Sequence, residues 1–192
     1  TLATDLIGAK FAGGSNGFEA HLQPNLLSLR WRREFEADAK PYPRFARVAE
    51  ELWWAADRIA GVLSGGALVI GGVNVGYVNF VPTAATSPRA VLGKYFVPGA
   101  WIGLLEPAAS LHHVDVSWRT PEGIDLRFRV RAGSADLEET RVIGYQIETV
   151  AGASVQPEAS ARDAVQSIHD RLQEFFKGLI SDTARAEWGY HE

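Results

Sequence analysis

Four polar side chains in this sequence suit chemistry or recognition: Arg44, Tyr77, Asn79 and His169. Tyr77 and Asn79 share one face of an apparent strand with Val73, Val75 and Val81. Strands disfavour asparagine, and a buried amide is costly unless it is hydrogen-bonded. Asn79 is therefore expected in a small buried polar cluster with Tyr77, His169 or Arg44. His169 borders the apolar stripe of a closing helix, beside Val165, Leu172 and Phe176. Imidazole is the commonest acid–base group, although most histidines in such positions are structural. Arg44 stands at the start of an earlier helix. Brought together, these four would form a ligand-binding site, or alternatively the site of an enzyme such as a hydrolase. Sequence alone does not show such convergence.

Other motifs yield to plainer readings. "GGSNG" at 13–17 has the spacing of a nucleophile elbow around Ser15, but that motif works only where a strand turns sharply into a helix. Here "FEAHLQPN" follows, with a proline and no helical period, so a hairpin tip at Asn16 and Gly17 is expected. "GGVNVG" at 71–76 lacks the helix start that a phosphate cradle needs, and reads as strand. His112 and His113 fall on opposite faces of a strand, and no second histidine or carboxylate has metal-ligand spacing nearby, so no metal or other cofactor is expected. Arg127, Arg129 and Arg131 line one strand face. Asp115 and Asp125 are expected on the same face, Asp115 opposite or diagonal to Arg127, which makes a solvated, self-paired surface. Trp53 and Trp54 are neighbours on a helix and diverge by about 100°, so both cannot face one core. With Trp188 they are candidates for an interface, and a homodimer is expected.

These side chains need elements to hold them. "LLSLRWRR" alternates, with Leu27, Leu29 and Trp31 on one face, as a half-buried strand does. From Arg44 to Leu63, Phe45, Val48, Leu52, Ile59 and Leu63 recur at helical spacing behind Pro43. "SPRAVLGKYF" reads as a short helix. "AWIGLLE", "HHVDVSW", "IDLRFRVR" and "RVIGYQIETV" read as strands, the middle pair joined by "RTPEG". Ser160 and Asp163 resemble a capping box before the stripe Val165, Ile168, Leu172, Phe175, Phe176 and Leu179. Asp182 is placed to cap a last short turn. Hairpin-linked strands favour an α+β fold: an antiparallel β-sheet of about seven strands with two long helices packed on it. No linker is evident, so one domain over 1–192 is expected.

Composition narrows the function classes. The 192 residues carry a net charge of -4 and are 46% hydrophobic. No global field draws the chain to nucleic acid or to an anionic membrane. The longest apolar stretches fall far short of the roughly 20 residues of a membrane span. With no cysteine there is no disulfide, no thiolate nucleophile and no cysteine-ligated zinc, which fits a cytoplasmic protein. There is no methionine either, so translation is expected to start upstream of Thr1.

Four stretches, "LQPNLLSLRWRR", "YPRFARVAEEL", "VNVGYVNFVP" and "SIHDRLQEFFKGLISDTARAEWG", together resemble a sporadically distributed bacterial family of hypothetical proteins. The matching positions are Trp31, Arg32, Tyr42, Pro43, Arg44, Tyr77, Asn79, His169, Phe176, Trp188 and Gly189. The similarity spans most of the chain. It implies an accessory bacterial protein, present in some strains and absent in others, and it implies no activity. The combined expectation is a non-catalytic module that binds a small apolar ligand, a peptide or a protein.

Overall fold

The computed structural model describes residues 9–12, 17–23, 25–31, 43–62, 68–82, 88–97, 113–137, 140–156 and 159–188. Internal contacts cluster into two compact units, Thr1–Val69 and Ile70–Glu192. The α+β class and the antiparallel pairing are as expected. The single sheet is not: the strands fall into a three-stranded and a four-stranded sheet, and two short helices accompany the two long ones. Alternation marks a segment as strand but does not name its partner, which is why the division was illegible.

In the first unit, β1 (Ala9–Ala12), β2 (Phe18–Gln23) and β3 (Leu26–Trp31) form an antiparallel meander. Ala12 pairs with Glu19, and Gly17, just before β2, takes the left-handed φ of 70° that its lack of a side chain permits. The antiparallel pairing of β1 with β2 agrees with the expected hairpin; its tip, with Ser15 and Asn16, lies outside the described residues. Helix α1 (Arg44–Val62) packs against β3. Its inward face holds buried Ala56 and half-buried Phe45, Val48, Leu52 and Ile59. Arg47 pairs with Glu50 and Glu51 on the solvent side.

In the second unit, β4 (Gly72–Pro82), β5 (His113–Arg119), β6 (Asp125–Leu137) and β7 (Thr140–Ser154) run in the order β4-β7-β6-β5. "RTPEG" closes the β5–β6 hairpin: the Ile124 amide donates to Thr120 Oγ1 at 3.2 Å, and Gly123 has φ 84°. Helix α3 (Ala161–Leu179) lies across β4 and β7. The Asp163 amide donates to Ser160 Oγ, which caps the helix as the sequence suggested. The stripe then buries Val165, Ile168, Leu172 and Leu179, each contributing about 1.5–3 kcal/mol relative to exposure.

Helices α2 (Pro88–Tyr95) and α4 (Asp182–Trp188) complete the core. The Val97 amide donates to Leu179 O and the Ser181 amide to Tyr95 O, both at 2.8 Å, tying the end of α2 to the α3–α4 joint. Phe96 meets Phe128 edge-on, with ring centroids 5.1 Å apart, inside a cluster that includes Val91, Val130, Tyr145, Ile147 and Ile180. Ser181 Oγ, not Asp182, caps α4 by accepting from the Ala184 amide. None of the described helices is long and apolar enough to cross a membrane.

Candidate binding site

The site is built on the inner face of β4. Alternation directs Val73, Val75, Tyr77, Asn79 and Val81 to one side, and the pattern of exposure confirms it: the three valines are buried and Tyr77 is half-buried. His169 lies one helical turn from both Val165 and Leu172, so burial of those two turns the imidazole toward the sheet. The Tyr77 hydroxyl and His169 Nδ1 are 2.8 Å apart, with the rings tilted at 47°. Burial pushes the His169 pKa below its ordinary 6.5, against the smaller opposing effect of the Asp170 charge. A neutral imidazole accepts the phenolic proton at Nδ1 when its own proton is on Nε2.

Asn79 departs from expectation. It stands on the predicted face but is exposed, and its side chain makes no hydrogen bond to a described residue. The register is right; the cover is missing. Val81 beyond it is buried in the cluster that contains Val91 and Leu92 of α2, while His169 of α3 covers Tyr77 before it. Asn79 therefore opens to solvent between two covered stretches of one sheet face. Its partner across the ladder, Ile147, is fully buried.

Of the four candidates, the structure brings Tyr77 and His169 into contact and places Asn79 two residues along the same face. Arg44 belongs to the other unit, where it opens α1, exposed, with φ 63°. Thr149 was not foreseen. It faces Tyr77 across the ladder and is 1% exposed, a buried hydroxyl like that of Thr120. Its place between Ile147 and Ala151 in "RVIGYQIETVA" was the available signal.

Of the tryptophans proposed for an interface, Trp53 is half-buried and Trp54 is 60% exposed, with the Arg58 guanidinium 5.2 Å from its ring centroid. Trp188 is the last residue of α4.

The opposite face of the four-stranded sheet is the charged, self-paired surface that the arginine spacing predicted. Asp115 accepts from Arg127 at 2.8 and 2.6 Å and from Arg129 at 3.1 Å. Arg129 reaches Glu148 at 3.1 Å, Arg119 grips Asp125 through two bonds of 2.7 Å, and Arg131 donates to Gln146. The Arg127 guanidinium, seconded by Arg129, holds the Asp115 carboxyl at about 2 against the opposing effect of burial. The solvent face of α3 and the β5–β6 turn frame a shallow depression of about 550 Å3 that includes Glu122, Asp163, Asp170 and Arg171. Among the described residues no three His, Asp or Glu side chains are grouped to hold a metal ion. Compared with protein-family models, curated proteins and solved structures, the chain matches none.

Proposed function

We propose that this chain is a non-catalytic, cytoplasmic binding module of an accessory bacterial protein, and that its site is the opening at Asn79, walled by Tyr77 and His169. The observation that carries this reading is an exposed, unbonded carboxamide on a sheet face whose neighbours are buried. Such a group costs nothing while hydrated, and it offers two donors and two acceptor lone pairs to an occupant. The half-buried Tyr77 phenol and His169 imidazole beside it supply further contact and orientation. A peptide or a small apolar ligand carrying an amide suits this surface. The absence of cysteine fits the cytoplasm.

The test is selection from a displayed library of random dodecapeptides against the wild-type chain, followed by binding to Asn79→Trp, which fills the opening. Enriched peptides that lose at least tenfold in affinity support the site. Peptides that bind both forms equally, or none binding more tightly than about 1 mM, contradict it.

One observation favours a second reading, an enzyme. The contact between Tyr77 and His169 holds an imidazole that burial keeps neutral, the form a general base requires. Hydrolysis of p-nitrophenyl butyrate that disappears in His169→Gln would favour this alternative over the binding module.

A further inference from the structure

The edge of β4 carries an inference independent of the ligand site. β4 has one ladder, to β7, and forms one border of its sheet. The Val155 amide donates to Gly71 O at 3.1 Å, and the ladder register, extended by one pair, sets these two residues opposite each other. In an antiparallel ladder, hydrogen-bonded pairs alternate with non-bonded ones. The odd-numbered residues of β4 therefore bond to β7. Gly72, Asn74, Gly76, Val78 and Phe80 turn their N–H and C=O groups to the open side, where none of them is bonded to a described residue.

Proteins blunt such borders with charge, proline or short length. The other edge strands follow this rule: β1 has only four residues, β3 has Arg30, and β5 has Asp115 and Arg119. β4 has eleven residues, no charge, and its one proline at the last position. Val78 at the middle of this border is 48% exposed, and Gly72, Asn74 and Gly76 are exposed with it.

We propose that the β4 edge is a self-association surface, and that its occupant is β4 of a second copy, paired antiparallel across a two-fold axis into one eight-stranded sheet. An uncharged strand meets its own copy without like charges in opposition, and it offers no charge by which an acidic or basic partner would be selected. The copy supplies the same length and the same alternation of donors and acceptors. Two-fold symmetry sets even-numbered residues against even-numbered ones, so each free N–H meets a free C=O. One strand pair buries less than the roughly 1,200–2,000 Å² of a stable interface, which sets the expected dissociation constant in the micromolar range.

Sedimentation velocity of the full chain from about 1 to about 200 μM, spanning that expected range, tests this. The wild-type chain should pass from monomer to dimer. Val78→Pro removes an edge N–H without touching the β7 ladder, and Val78→Lys places a charge beside the pairing strand. Each should weaken association at least tenfold while the circular dichroism spectrum is kept, and Val78→Lys carries the test if the proline variant folds poorly. A wild-type chain that stays monomeric throughout, including one whose edge takes a selected peptide instead, overturns the proposal. So does a dimer that Val78→Lys leaves unchanged. Neither outcome bears on binding at Asn79, which the Asn79→Trp comparison decides separately.

Discussion

The Tyr77 hydroxyl and His169 Nδ1 meet at 2.8 Å although 92 positions separate them in the chain. One lies on the border strand of the four-stranded sheet and the other on the helix that crosses it, so their bond fixes how α3 docks on β4. Removing the hydroxyl in Tyr77→Phe should cost about 0.5–1.5 kcal/mol, the net worth of one such bond. Chemical denaturation of the two forms measures it, and equal stabilities would show that the contact contributes nothing.

His169 should titrate below 6.5, followed by the NMR signal of its ring Cε1 proton. Its pKa in the folded state is lowered, so the unfolded chain binds the proton more readily. The stability associated with the neutral ring is fully present above the unfolded value and falls as pH drops from there through the lowered one. A measured pKa at or above 6.5 would contradict a ring desolvated by the sheet.

Asp115 is the hub of the charged face. Its carboxyl is lowered from 3.8 to about 2, so its contribution is complete above 3.8 and is lost as pH falls through about 2. At neutral pH, Asp115→Asn should cost about 1 kcal/mol and lower Tm by about 2–4 °C. The difference between the two melting temperatures should close near pH 2. A gap that persists there would mean that packing, not charge, is being lost.

Gly144 is buried where a methyl group would run into the Val81 carbonyl oxygen and the Phe80 ring, whereas a methyl on Gly133 would meet open space. Gly144→Ala should cost about 1–3 kcal/mol through forced backbone shifts. Gly133→Ala should fall within about 0.5 kcal/mol of the wild type. Thermal melts of both variants decide, and equal effects would contradict the close approach of β4 to β7 at Gly144.

Period-2 and helical spacing made the faces of β4 and α3 legible, and with them the inward side of Tyr77 and His169. The arginine stripe was legible for the same reason: Asp115 shares its face with Arg127 and Arg129, and opposite charges on one antiparallel face pair across strands. Trp53 and Trp54 diverge as helical neighbours must. Asn79 could not be placed from sequence, because its exposure depends on which elements cover β4. That is a matter of tertiary packing, and β4 itself has no residue that records it. Which sheet each strand joins was hidden too, since the pairing of β4 with β7 is fixed by contacts about seventy residues apart along the chain.

The proposed site is tested most directly by mapping amide NMR shifts of the wild-type chain as a selected peptide is added. The account predicts that the largest changes fall on Tyr77, Val78, Asn79 and His169, and that Asn79→Trp abolishes them. Changes confined to α1 around Trp54, or absent from β4, would contradict it.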